Sequence, residues 1–157
     1  MPTLHESLVE RGTLTSGDVT VPWYTAVCRE WTNGYIRFPT RPVKDPSCEG
    51  ILAYVAVHGG ITFAQEQDDG SMLYGYDTNH VFSGDYPTDD PEWHRQQCQV
   101  MLDGILLAVT LEDEYLLAEG DQEARGKIAA RLYDSTPLEL RSEFGLGVML
   151  KIICGDL

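Results

Sequence analysis

Positive charge is scarce in this chain. Only 11 Lys and Arg stand against 25 Asp and Glu in 157 residues, a formal net charge of −14. Such a field repels polyanions, so direct nucleic-acid binding through phosphate neutralisation is disfavoured. The shortage is uneven: from Asp45 to Glu123 seventeen acidic residues meet one base, Arg95, whereas Arg29, Arg37, Arg41 and Lys44 cluster upstream with only Glu30 among them. Long apolar runs are missing too. The longest, Gly104 to Leu111, is too short to cross a bilayer and adjoins Asp103, so no membrane partner is expected. Met1 to Gly12 lacks the basic start and apolar centre of a secretory leader, and the expected location is cytoplasmic. Cys28, Cys48, Cys98 and Cys154 lie far apart with no CxxC pair, a pattern that predicts reduced thiols rather than a zinc site or a disulfide framework. There is no HExxH, EF-hand loop, Walker loop or nucleophile elbow.

What is present is an ordinary globular composition, 43% hydrophobic, long enough for a core without covalent staples. One domain over 1–157 is expected, in three parts: 1–18 as an N-terminal helix and connection, 19–86 as a sheet, and 90–157 as a helical part. Thr3-Leu4-His5-Glu6 has capping-box spacing, which predicts a helix over about residues 4 to 11 and a polar connection from Gly12 to Asp18. Tyr24 to Trp31 and Tyr35 to Phe38 read as a hairpin turned at Asn33-Gly34. Pro39, Pro42 and Pro46 then forbid regular structure. Ile51 to Val57 reads as a central strand, Ile61 to Gln65 and Met72 to Tyr76 as two more joined at Asp69-Gly70.

From Asp89 the apolar period changes. Asp90 can cap, Pro91 suits the first helical position, and Trp93, Val100 and Leu107 recur at seven, predicting a long amphipathic helix to about residue 117. A second helix is expected over Gln122 to Tyr133 and a short third from Thr136-Pro137-Leu138-Glu139. Val148 to Cys154 leans towards a last strand. The fold class predicted is α+β: an antiparallel sheet of about five strands, packed by the long helix, with C-terminal helices.

Chemistry concentrates in residues 51 to 86. His58 ends an apolar run just before Gly59-Gly60, where missing side chains let backbone N–H groups approach a bound group. Asp77, His80 and Asp85 follow the third run, and would converge with His58 if the two strands end on one edge. Two imidazoles with carboxylates suit a zinc or non-haem iron centre, or a general base with its orienting carboxylate. The same residues also suit a plain turn, since Asp77-Thr78-Asn79 has Asx-turn composition. Arg37, Arg41 and Lys44 could face an anionic ligand.

Gly34-Tyr35-Ile36-x-x-Pro39, then Tyr54-Val55-x-Val57-His58-Gly59-Gly60-Ile61-Thr62-Phe63, then Gly75-Tyr76-Asp77-x-x-His80 resembles a family of small proteins encoded by bacteriophages and some actinobacteria. That family's signature is approximately GYVxVP, VHGGLTF and GFDxxH followed by an aspartate, and it carries no assigned activity. The resemblance covers about residues 34 to 110. It implies that His58, Asp77, His80 and Asp85 form a shared polar cluster. Where the family has a His-Pro and an aromatic-Gly pair, Thr40-Arg41-Pro42-Val43 stands here, which removes one histidine from any ligand set.

Two functions are compatible with these residues. One is a phage accessory protein in the host cytoplasm that acts by binding. It would hold a small anionic ligand at His58, Gly59, Gly60, Asp77, His80, Asp85, Arg37 and Arg41, or inhibit a host or defence protein through its acidic surface. The other is a metal-dependent hydrolase, acting on phosphoesters, with a divalent metal held by His58, Asp77, His80 and Asp85. The sequence fixes no cofactor.

Overall fold

The computed structural model describes residues 7–28, 31–45, 48, 51–52, 60–76 and 90–134. The fold is α+β: a five-stranded antiparallel sheet, a long helix and a second, C-terminal helix. We number them β1 (Val9–Ser16), β2 (Val19–Cys28), β3 (Trp31–Phe38), β4 (Phe63–Glu66), β5 (Met72–Tyr76), α1 (Pro91–Leu117) and α2 (Gln122–Asp134). The chain divides into two compact units, residues 1–42 with 59–103, and residues 43–58 with 104–157.

In the first unit the sheet order is β1-β2-β3-β5-β4. Gly17-Asp18 closes β1 onto β2 with a two-residue turn, Ser16 opposite Val19 and Gly17 at φ +58°. From Val9 onward a strand therefore stands where the capping-box pattern predicted the end of a helix and a connection to Asp18; Ser7 is helical, and residues 4–6 lie outside the described residues. The ladder to β2 satisfies the backbone of Val9 to Ser16, and long-range pairing overrides a weak local pattern. A β-bulge between Glu10 and Gly12 leaves Arg11 as the extra residue.

The second correction concerns Asn33-Gly34. Both lie inside β3, opposite Ala26 and Thr25, because Cys28 pairs with Trp31. Gly34 is needed there for space. A Cβ on it would sit 2.5 Å from the Tyr76 hydroxyl and 2.7 Å from the ring. The next pair reverses the arrangement: a Cβ on Gly75 would meet the Tyr35 ring at 2.4 Å. Gly34 faces Tyr76 and Tyr35 faces Gly75 across β3 and β5, so each tyrosine lies over its neighbour's glycine, on opposite sheet faces. The β4–β5 hairpin forms around Asp69-Gly70 as expected, with Gly70 at φ +88° and Asp69 Oδ1 accepting from the Ser71 N–H at 2.9 Å. Ile51 and Leu52 are helical rather than extended, and residues 53–57 of the expected central strand lie outside the described residues.

One sheet face is apolar through Val21, Trp23, Ile36, Phe38, Tyr74 and Tyr76, all buried. The N-terminal half of α1 covers it with His94, Cys98, Met101 and Leu102, spaced at i, i+4, i+7 and i+8 and 0–1% exposed. Asp90 caps this helix, its carboxylate accepting from the Glu92 N–H at 3.0 Å, with Pro91 at the first helical position. The opposite face carries a smaller cluster of Ala26, Tyr35 and Leu73 with Tyr24, Phe63 and Leu8.

The second unit packs Val43, Cys48 and Ile51 against Ala108, Leu111 and Tyr115 of α1 and Ile128 and Ala129 of α2. Glu112 fastens the proline-punctuated segment: its Oε2 accepts the N–H groups of Lys44 and Asp45 at 2.7 and 2.9 Å. Gly120, at φ +79°, turns the chain after α1, and Asp121 caps α2 by accepting from the Ala124 N–H at 3.1 Å. The expected helix at 136 and strand at 148–154 fall outside the described residues. No helix among the described residues is long and apolar enough to cross a membrane.

Candidate functional site

The bulge in β1 has a chemical consequence. It places Val9, Arg11 and Leu14 on the α1-facing side of the sheet, although Val9 and Leu14 are an odd number of residues apart. Arg11 Nε donates to Thr25 Oγ1 at 2.8 Å, which fixes the plane of the guanidinium. Its terminal nitrogens make no hydrogen bond and no ion pair among the described residues.

Arg11 opens onto a cavity of about 380 Å³ within the first unit. Ser7, Thr25, Thr32 and His94 supply its other polar groups, and Val9, Val27 and Pro91 much of its apolar wall. That size falls in the range of roughly 300–1,000 Å³ usual for small-molecule sites. Val9 and Val27 are 50% and 67% exposed at its rim, whereas His94, at 1%, belongs to its buried side.

His94 is held from beneath. Its Nδ1 shares a hydrogen bond with the Tyr76 hydroxyl, the two ring planes lying within 4° of parallel, and Trp93 meets each of them edge-on. Burial pushes the Tyr76 phenol far above its ordinary value of 10.0, with the neighbouring Cys98 thiol adding to the shift. Burial likewise pushes the Cys98 thiol up to about 12, against weaker opposing hydrogen bonds from Tyr76 and the Tyr35 backbone. Both groups therefore stay protonated at neutral pH, and Cys98 and Tyr76 form an uncharged hydrogen-bonded support beneath His94.

Of the residues singled out from sequence, His58, Gly59, Asp77, His80 and Asp85 lie outside the described residues. Gly60 is described and adopts φ +74°, a conformation that suits glycine. Arg37 sits on the sheet face away from α1, opposite Leu73, its guanidinium 5.2 Å from the centre of the Tyr24 ring. Arg41 is exposed beyond the end of β3. Neither arginine lines the Arg11 cavity. Among the described residues, no group of three His, Cys, Asp or Glu side chains is gathered for a metal.

Sequence reasoning passed over Arg11, Thr25 and His94. For His94 a signal existed, because Cys98, Met101 and Leu102 continue from it at helical spacing and set it in the apolar stripe. For Arg11 the signal was Gly17-Asp18, a two-residue hairpin turn that makes the preceding residues a strand. No family model, curated protein or solved structure matches this chain. The site is defined by its own residues.

Proposed function

We propose that this is a small phage-encoded accessory protein that acts by binding, and that it takes a small anionic ligand in the cavity beside Arg11. The observation that carries the reading is the state of that arginine. In a chain with 25 acidic residues, its guanidinium is oriented by Thr25 yet has no carboxylate partner among the described residues. An oriented, unpaired guanidinium at a cavity wall is a preformed anion receptor. The resemblance to a phage family supports the accessory role.

Isothermal titration with acetate, benzoate, inorganic phosphate and phenyl phosphate tests the reading, using wild type and Arg11→Ala at one ionic strength. Saturable heat with at least one anion in the wild type, lost in the variant, is expected. Equal heats for the two proteins, or none with any anion, would overturn the proposal.

A further inference from the structure

Resting on that binding reading, we infer that the ligand is a carboxylic acid with an apolar body, held by Arg11 at its carboxylate and by Val9 and Val27 along its chain or ring. A guanidinium is a planar fork that matches the two oxygens of a carboxylate, and Thr25 holds Arg11 through Nε alone, leaving the outer nitrogens to meet them side by side. One cation neutralises one negative charge. The start of α1 borders the cavity at Pro91 and His94 but brings no unengaged backbone N–H from either residue: Pro91 has none, and the His94 N–H is taken by the Asp90 carbonyl. A phosphate dianion would be left half compensated within a strongly acidic molecule.

The apolar part of the ligand follows from the rim. Val27 is 67% and Val9 50% exposed, and both side chains stand on the same sheet face as Thr25's partner Arg11. A ligand lying from Arg11 across these valines would remove from water two β-branched side chains that nothing else among the described residues covers. Acetate would reach the fork but not the valines.

The test is a competition among chemical classes, read by calorimetry and by amide chemical shifts of β1 and β2. Octanoate and benzoate are expected to bind at least about tenfold more tightly than acetate, inorganic phosphate or phenyl phosphate. Arg11→Lys keeps the charge and loses the fork, and should weaken octanoate by about tenfold, as expected for a lost charge-assisted hydrogen bond. Val27→Thr, isosteric and neutral, removes apolar surface without adding a charge beside Arg11 and should weaken octanoate more than acetate; circular dichroism confirms that each variant is folded. Tighter binding of phenyl phosphate than of either carboxylate, or wild-type affinity in Arg11→Lys, would overturn this inference while leaving anion binding at Arg11 intact. Failure of every anion, or indifference to Arg11→Ala, would overturn the underlying reading as well.

Discussion

Tyr35 and Tyr76 each occupy the space that a neighbouring side chain would need, and Gly34 and Gly75 are defined by that occupation rather than by backbone freedom. Alanine at either glycine would drive a methyl group to within 2.7 Å of a tyrosine ring atom. Both rings are buried, so neither can swing into solvent. Gly75→Ala should therefore cost about 1–3 kcal/mol of folding stability, the usual range for overpacking, measured by urea denaturation. Pairing it with Tyr35→Ala should recover part of that loss; strict additivity of the two changes would contradict the contact. The Cys98–Tyr76 pair gives a pH prediction of defined sign. Both groups titrate higher in the folded chain than their ordinary values of 9.0 and 10.0, so the unfolded chain loses its protons first. Their contribution to stability is complete below pH 9 and declines as pH rises towards the folded thiol's value of about 12. The urea midpoint should fall steadily between about pH 9 and 11, and less steeply in Cys98→Ala. A flat profile would remove the case for a buried thiol.

At the level of elements, caps and clips rather than charge pairs decide the helix ends. Asp90→Ala and Asp121→Ala should each cost about 1 kcal/mol by loss of an N-cap acceptor, seen as lower thermal midpoints. Glu112→Ala should cost more, about 1–3 kcal/mol, because it removes the charged acceptor shared by the N–H groups of Lys44 and Asp45; Glu112→Gln keeps an acceptor oxygen and should lose less. These carboxylates also qualify the acidic surface read from sequence. Glu112 and Asp121 are engaged with backbone, and Glu114 with Arg131. The helices were legible because Asp90-Pro91-Glu92 announces a start and the apolar stripe keeps its period, and α1 does run from Pro91 to Leu117. Met72 to Tyr76 was legible as a short apolar and aromatic run beside the Asp69-Gly70 turn. β1 was not, because its bulge shifts the apolar phase: Val9 and Leu14 share a face while strict alternation assigns them to opposite ones. Asn33-Gly34 misled for a different reason. Turn composition there serves a tyrosine on another strand, and that partner is 42 residues away in sequence, from 34 to 76. The site was legible least of all, since Arg11 acquires its role only through the bulge and the Thr25 hydroxyl.

For the molecule as a whole, a net charge of −14 is the dominant long-range term. Self-repulsion should make stability rise with salt, and the thermal midpoint should increase between low ionic strength and about 0.5 M sodium chloride, where the screening length falls to a few ångströms. A midpoint that falls with salt would mean that attractive pairs dominate instead. The same field should keep the chain from being retained on DNA at low salt, in keeping with the scarcity of basic residues.

The bulge separates two things that folds usually entangle. Without Arg11, Val9 and the present Leu14 would stand four residues apart, and β1 would be a regular strand with the same core contact. The residue proposed to meet the ligand is thus one the sheet does not require. A single inserted codon in a plain hairpin would suffice to install a guanidinium above a hydroxyl, and its deletion to erase it. If Arg11 is the anion receptor, receptor and scaffold are written in different residues, and the one can be changed without rebuilding the other.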